Sequence, residues 1–267
     1  MDMSDDEWNI AYLPCLITFL RREHRCHSCF KLMIVIGIVD MITINNDLTI
    51  TGSFSIIGIS YCTAPNFSLF FDFISLSSWF AHSALCIILN FNRCCNLYYQ
   101  RTLTIFTKWR LWFLVCLALL YAFTMRLLSP KAFYHSNLGI WLNHLDPLAE
   151  SRKNWFHTFN NVCVVVITVG QYIFIAMVLR RRSHVISDKS KITNPQLFIL
   201  VQSIIISFLL ITCSVLYIII DFVFIPPTFL PYIHISWMFL QGGKGFLYIA
   251  MNSNVQRNIH NIICKQK

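Results

Sequence analysis

The stretch "DFISLSSWFAHSALCIILNFNR", residues 72–93, decides the fold of this chain. It is apolar enough to lie in lipid, yet polar or amphipathic side chains recur through it at intervals of three and four, the spacing of one helix face. A polar face turned towards lipid would be costly, so we expect it to point into a helix bundle or a water-filled cavity. Hydrogen bonding between helices and a ligand cavity in the half from residue 72 to residue 82 are both open interpretations. The face consists of Asp72, Ser75, Trp79, His82, Cys86, Asn90 and Arg93.

The composition of the whole chain agrees with a membrane protein. Of its 267 residues, 56% are hydrophobic and only 12% are charged, whereas soluble domains carry about 25% charged residues. Several apolar runs approach or exceed the roughly 20 residues that cross a bilayer core. The net charge of +9 comes from short basic clusters between those runs, which is a mark of membrane topology rather than of nucleic-acid binding.

The predicted fold is all-α, a polytopic membrane helix bundle that forms a single domain over residues 1–267. A short apolar piece, Asn9–Leu20, precedes the full-length spans and covers only about 18 Å as a helix, too little to cross a bilayer alone. Residues 252–267 follow as a cytoplasmic tail. The predicted spans are Cys29–Thr51, Phe67–Phe91, Trp109–Leu128, Asn160–Leu179, Gln196–Phe222 and Tyr232–Met251.

The distribution of lysine and arginine predicts the orientation of these spans. Basic residues concentrate in alternate connections, and short loops with such an excess face the cytoplasm. The connections on the other side hold only Arg126, Lys131, Arg152 and Lys153. The cytoplasmic set is Arg21, Arg22, Arg25 and Lys31, then Arg93, Arg101, Lys108 and Arg110, then Arg180, Arg181, Arg182, Lys189 and Lys191, then Arg257, Lys265 and Lys267.

Two opposite charges lie near the middle of predicted spans. Lys244 stands in "QGGKGF", and a lysine at mid-bilayer costs roughly 2.5–3.5 kcal/mol on insertion scales. Asp40 lies at a similar depth, so we predict that the two side chains form an intramembrane ion pair. A retinal Schiff base on Lys244 is the alternative, but a lysine in such a helix is far from sufficient, and we expect no cofactor.

Three further motifs near the membrane surface contain residue types that could bind a metal or be modified. "HRCHSC", residues 24–29, offers zinc-ligand types, but the adjacent Cys94 and Cys95 suit a tetrahedral site poorly, so we expect no metal. Cys264 in the tail is a candidate for lipidation. Asn66 heads an Asn-Phe-Ser glycosylation sequon that abuts the membrane.

Several segments together resemble a known family, the nematode serpentine chemoreceptors of class T, which are seven-helix G-protein-coupled receptors. The similarity runs from about Tyr12 to the tail. It is carried by "HSCFKLMIVIGIVDM" (27–41), "TGSFSIIGISYC" (51–62), "LNFNRCC" (89–95), Pro130 with Phe133, "HTFNN" (157–161), "PQLFILVQS" (195–203) and "LYIAMNSNVQRNI" (247–259).

The resemblance implies roles for several residues. Asn92 and Arg93 occupy the place of the arginine motif at the inner end of the third helix, where the family holds its inactive state or engages the G protein. Tyr248 and Asn252 fall at the inner end of the seventh helix. Asp40 occupies an acidic position of the second helix, which lies beside the seventh and supports the predicted pairing.

The chain also departs from the family pattern. About half of the first helix is missing, Lys244 stands where the pattern has a proline, and residues 129–159 contain no cysteine to pair with Cys62. A truncated, non-signalling membrane protein is therefore one alternative function. An ion- or proton-conducting channel or transporter that uses the stripe from Asp72 to His82 is another.

The leading expectation is a chemosensory G-protein-coupled receptor, not an enzyme, in the plasma membrane of sensory cells. Its expected partners are a small-molecule ligand, a heterotrimeric G protein and membrane lipid, with no nucleic acid. The basic cluster Arg180, Arg181 and Arg182 would join Arg93 in facing the G protein. The expected ligand-binding residues are Asp72, Trp79, His82, Tyr217 and Trp237.

Overall fold

A computed structural model describes residues 13–20, 28–59, 61–98, 106, 108–135, 140–142, 153–185, 194–223, 225–251 and 256. Residues 13–19 form a short helix, α1. The helices that follow are α2 (Ser28–Ile57), α3 (Pro65–Tyr98), α4 (Lys108–Leu128), α5 (Trp155–Val185), α6 (Asn194–Phe222) and α7 (Leu230–Met251). A short 3₁₀ turn, Pro227–Phe229, precedes α7. The architecture is therefore an all-α bundle.

The helices are longer than several of the predicted spans. The third helix has 34 residues, about 51 Å at 1.5 Å per residue, so it extends beyond the hydrocarbon core at its ends. Within the described residues, five helices are long and apolar enough to cross a membrane, those of α2 to α6. The seventh, α7, has 22 residues, but Gln241 and Lys244 interrupt its apolar sequence, and its crossing stays a prediction.

Local sequence explains where the helices begin and end. Gly58 ends α2 in the left-handed conformation, with φ of 75°, and the amide of Ile59 donates to the carbonyl of Phe54 at 2.9 Å, as in a Schellman cap. Pro65 opens α3, where its missing N–H costs nothing. Asn154 caps α5 by accepting a 3.1 Å hydrogen bond from the amide of His157.

A π-helical segment, Asn45–Ile50, interrupts α2 between Ser28–Ile44 and Thr51–Ile57. Its wider turn directs Asn46 and Asp47 inwards, where both side chains are buried. Ser75 of α3 donates to Asp47 Oδ1 at 2.7 Å and accepts from the amide of Asn46. The segment thus joins α2 to α3 through a polar cluster inside the bundle, and π turns are frequent at functional sites.

The bundle has a polar interior and an apolar exterior. Buried residues include Asp40, His82, Asn161 and Lys244, while Leu120 of α4 and other large apolar side chains are exposed. Exposed apolar surface of this extent is incompatible with water but is what lipid-facing helices present. The distribution of polarity independently agrees with a helix bundle in a bilayer.

Only the C-terminal part of the predicted Asn9–Leu20 helix lies within the described residues. There α1 packs on α2 and α7: the Phe19 ring lies 5.5 Å from Phe30 and 5.3 Å from Tyr248. The thiol of Cys15 donates to the carbonyl of Gly245 at 3.6 Å. The short helix thereby covers the part of α7 next to Lys244.

A two-stranded antiparallel hairpin, not predicted from the sequence, lies in the connection between α4 and α5. It pairs β1 (Phe133–His135) with β2 (Ile140–Leu142), and Tyr134 stands opposite Trp141. The buried Tyr134 hydroxyl donates to the carbonyl of Thr51 at 3.0 Å and contacts Ser55. Burial raises the pKa of the Tyr134 hydroxyl above 10.0, so Tyr134 stays a neutral donor. The hairpin is therefore anchored to the end of α2.

Replacing Tyr134 by Phe should loosen this anchor without creating a large cavity. The Thr51 carbonyl loses its buried donor, so we expect the free energy of unfolding to fall by about 1 kcal/mol. Thermal unfolding of the purified protein in lipid nanodiscs measures the change. Ser55→Ala is the matched control, because it removes the exposed partner of the same hydroxyl and should cost less. Equal unfolding temperatures for Tyr134→Phe and the native protein would contradict the anchor.

Candidate functional site

An ion pair lies at the centre of the bundle and joins α2, α3 and α7. The ammonium of Lys244 lies 2.6 Å from Asp40 Oδ2, and His82 Nδ1 lies 2.8 Å from Asp40 Oδ1. Asp40, His82 and Lys244 are fully buried. The structure thus brings together the two residues predicted to pair and adds a histidine from the polar face of α3. Such a pair persists in a dry interior because each charge has its partner.

Neighbouring side chains connect this cluster to the rest of α3 and α7. Cys86, one helical turn beyond His82, places its sulfur 3.4 Å from His82 Nε2. We assign the Gln241 amide with its NH₂ group towards Asp40 Oδ1, because in that orientation its oxygen accepts a 3.2 Å hydrogen bond from Trp237 Nε1. Gln241 therefore links the carboxylate of Asp40 to an aromatic ring one turn away on α7.

A second buried ion pair joins α3 to α4. Arg126 Nη2 donates to Asp72 Oδ2, and the backbone amide of Ala132 donates to the same oxygen at 3.2 Å. The guanidinium also donates to the carbonyl of Ser129 at 3.3 Å and lies 5.4 Å from the centre of the Phe73 ring. Arg126, which the sequence placed among the loop charges, is thus the buried counter-ion of Asp72.

Between the hairpin and the Asp40 cluster lies a cavity of about 150 Å³. A cavity of that size in a protein core holds one benzene-sized molecule. Helices α3, α5, α6 and α7 and the hairpin all contribute to its wall. The residues that matter below are Asp72, Trp79, Trp141, His157, Tyr217, Asp221, His234 and Trp237.

Of the predicted ligand-binding residues, all but one line this cavity. Asp72, Trp79, Tyr217 and Trp237 are in its wall. His82 lies below it, with its ring 6.3 Å from the Trp79 ring at an interplanar angle of 13°. The Trp79 ring therefore separates the cavity from the ion pair, and ligand binding by these residues stays a prediction.

Among the residues that line the cavity, sequence reasoning assigned no role to Trp141, His157, Asp221 and His234. His157 begins the motif "HTFNN", and Asp221 lies at the end of the predicted span Gln196–Phe222, so both were visible in the sequence without an assigned role. His234 and Trp141 are single residues without any pattern around them. Their place in the cavity depends on helix rotation and on the hairpin.

The "HTFNN" motif also binds α5 to α3 and α4. Trp79 Nε1 donates to Asn161 Oδ1 at 3.0 Å. Asn160 Oδ1 accepts hydrogen bonds from Tyr121 at 2.9 Å and from Ser83 at 3.3 Å. These buried amides fix the orientation of the Trp79 ring at the bottom of the cavity.

At the opposite end of α3, Arg93 is 6% exposed. Its Nε and Nη2 have no hydrogen-bond partner within the described part of the chain. Asn92 donates to Ser28 at 2.9 Å and so fixes this end of α3 to the start of α2. Tyr248 is buried against Phe19. Buried guanidinium nitrogens without acceptors are costly, and these two mark this end of the bundle as a second candidate site.

The remaining predicted site residues lie at the surface or outside the described residues. Arg180 and Arg181 are exposed near the end of α5, while nothing is described of the Arg182 side chain. Asn66 is exposed, but Ser68 of its sequon is buried. Asn252, Cys264 and the zinc-type residues His24, Cys26 and His27 lie outside the described residues.

Two comparisons with known proteins bear on this architecture. A search of curated proteins found no match. The family model for the "Serpentine type 7TM GPCR chemoreceptor Srt" matches residues 8–267. That match covers nearly the whole chain, including every helix described above. The chain therefore belongs to the Srt family of serpentine seven-transmembrane chemoreceptors, and it is a multi-pass membrane protein of a receptor family.

Proposed function

We propose that this receptor binds a small organic molecule in the cavity below the hairpin and signals to a heterotrimeric G protein at the Arg93 end. The basic residues at the ends of α3 and α5 support a cytoplasmic position for the Arg93 end, which would direct the hairpin to the outside. The plasma membrane of sensory cells is the location in which an outward-facing chemosensory cavity would meet its ligand.

The observation that carries the proposal is the contact between the cavity wall and the buried ion pair. Trp79 lies over His82, and Trp237 donates to Gln241, which in turn reaches Asp40. A ligand that displaces either ring therefore changes the surroundings of an ion pair that joins three helices. A ligand shifts the equilibrium between two helix arrangements only if its affinity for them differs. The contact of the Trp79 and Trp237 rings with the ion pair makes the affinity of the ligand depend on the helix arrangement.

The Arg93 end supplies the other half of the mechanism. Tyr248 lies one turn beyond Lys244 on α7, so a change at the ion pair is transmitted to the inner end of that helix. Arg93, buried with unpaired Nε and Nη2, gains hydrogen bonds only if an acceptor approaches or the helices separate. We infer that a G protein supplies that acceptor, with Arg180, Arg181 and Arg182 adding positive charge.

Replacing Arg93 by Ala tests this coupling. We expect G-protein activation to fall at least about tenfold, corresponding to 1.4 kcal/mol, because the acceptor of the G protein loses its donor. Thermal stability should remain unchanged or rise, since a buried unsatisfied charge is removed. Nucleotide exchange on G proteins reconstituted with the receptor in nanodiscs, across a panel of odorants, measures the effect.

A cavity variant separates binding from coupling. Trp237→Leu should weaken odorant binding, measured as the shift in unfolding temperature that the active odorant produces, whereas Arg93→Ala should leave odorant binding unchanged. If the Arg93→Ala receptor activates the G protein as strongly as the native receptor does, the proposed role of Arg93 is wrong. If the native receptor activates no G protein but conducts current sensitive to His82→Ala, the channel alternative replaces the proposal.

A further inference from the structure

We propose that the cavity selects a small organic cation, a protonated amine or a quaternary ammonium, held between Asp221 and the rings of Trp79, Tyr217 and Trp237. This inference deepens the proposed ligand-binding function and rests on it. The Trp237 ring is perpendicular to both others, at 90° to Trp79 and 88° to Tyr217, with centroids 6.1 and 6.4 Å away. The faces of such rings attract cations, and Trp attracts them most strongly.

The charge of the cavity wall has the sign that a cation requires. Within the described part of the chain, the cavity is lined by two carboxylates and by no lysine or arginine. Asp72 is neutralised by Arg126 directly behind it. Asp221 accepts a hydrogen bond from the Thr158 hydroxyl, a neutral donor that leaves the carboxylate without a direct ion pair. Asp221 is thus the anchor for a positive ligand group.

Among the described residues, Lys153 is the cation that acts on Asp221, and its ammonium is directed elsewhere. The Lys153 ammonium lies 4.8 Å from the centre of the Phe222 ring and 5.8 Å from the Trp155 ring. These contacts are on the outside of α5 and α6, where both rings are exposed. Lys153 therefore weakens the field of Asp221 at the cavity without forming a direct ion pair with it.

Two buried polar groups in the cavity wall have no hydrogen-bond partner among the described residues, which indicates that the cavity binds a ligand. Within the described residues, His234 Nε2 and Trp141 Nε1 are buried without a hydrogen-bond partner, and both residues line the cavity. Overall, His234 is 9% exposed. The indole N–H of Trp141 is a donor only, so it fits a hydroxyl or carbonyl oxygen. An amine that also carries a hydroxyl or carbonyl oxygen would place its positive group at Asp221 and its oxygen at the N–H of Trp141.

The ligand class can be tested with two probes of equal shape. Choline carries a quaternary ammonium and a hydroxyl, and 3,3-dimethylbutan-1-ol replaces its charged nitrogen by carbon. Binding to the full chain in lipid nanodiscs is measured by quenching of tryptophan fluorescence and by the shift in unfolding temperature. We expect choline to bind at least about tenfold more tightly, as cation–π attraction at a desolvated site predicts. Absence of choline binding at millimolar concentration overturns the inference.

Two variants of opposite sign isolate the charge. Asp221→Asn keeps the acceptor for Thr158 and should weaken choline binding about 10- to 100-fold, because the quaternary ammonium, which has no N–H to donate, loses its Coulombic attraction to the carboxylate. It should leave the binding of the neutral alcohol unchanged. Lys153→Gln removes the opposing charge and should strengthen choline binding a few-fold. Because Lys153 is exposed, this variant does not depend on refolding of the interior.

The outcomes separate this inference from the proposed function. Equal binding of the two probes, or an Asp221→Asn variant that keeps the full preference for choline, overturns the cation assignment. G-protein activation by neutral odorants without choline binding overturns it as well and leaves the receptor function intact. Choline binding with no activation of any G protein supports the cation site and contradicts the signalling proposal.

Discussion

Replacing Lys244 by Met should destabilise the receptor by about 3–5 kcal/mol, because it leaves the Asp40 carboxylate buried without its cation. Asp40 is fully buried and its Oδ2 lies 2.6 Å from the Lys244 ammonium. Asp40→Leu should cost a similar amount for the reciprocal reason. In both variants we expect a lower unfolding temperature in nanodiscs and less protein at the cell surface, as surface biotinylation would measure.

The double variant Asp40→Leu, Lys244→Met decides whether the effect comes from the pair. Replacing both partners of a buried ion pair by apolar residues is often neutral or stabilising, so the double variant should recover most of the stability lost in either single one. A double variant no more stable than the worse single variant would show that the two charges act independently. His82 would then be the partner to test next, since its Nδ1 lies 2.8 Å from Asp40.

The second large effect is expected at the other buried pair. Arg126→Met should also cost about 3–5 kcal/mol, because Asp72 keeps only the 3.2 Å hydrogen bond from the Ala132 amide in place of its counter-ion. The hairpin begins directly after this contact, so the loss should release β1 as well. Hydrogen exchange at the amides of residues 132–135 measures the release, and thermal unfolding in nanodiscs measures the loss of stability.

Controls for this pair lie on the same helices. Arg110→Met removes an exposed arginine of α4 and should change the stability by less than about 1 kcal/mol. Adding Asp72→Asn to Arg126→Met removes the uncompensated charge and should restore part of the loss. If Arg126→Met lowers the free energy of unfolding no more than Arg110→Met does, the contacts of the Arg126 guanidinium do not stabilise the folded state.

Much of this architecture follows from the sequence. Apolar runs of bilayer length predict the helix bundle, and the spacing of polar residues identifies the inward face of α3. The pairing of Asp40 with Lys244 was predicted from depth alone, since an isolated mid-bilayer charge is too costly to leave unmatched. The family motifs, which extend over most of the chain, led to the same helix order.

The rest depends on how the helices rotate and pack, which no single sequence encodes locally. Arg126, at the end of its apolar run, looked like a loop charge because span ends normally carry such residues. Its side chain instead turns inwards to Asp72. Strands of three residues, as in the hairpin, are too short for an alternating pattern to be recognised. His234 lies in the cavity wall because of the rotation of α7 about its own axis, which the sequence does not specify.

The π turn at Asn45–Ile50 has a consequence for sequence changes in α2. Such a turn holds one residue more than an ordinary helical turn. Removing one residue there would let the turn relax to α geometry while Thr51–Ile57 keeps its rotational phase, so Thr51 would still meet Tyr134. A one-residue deletion anywhere in Ser28–Ile44 has no wider turn to absorb it. It would rotate the part of α2 beyond the deletion by about 100° about the helix axis. A one-residue deletion within residues 45–50 that spares Asn46 and Asp47 should therefore be tolerated better than one within Ser28–Ile44.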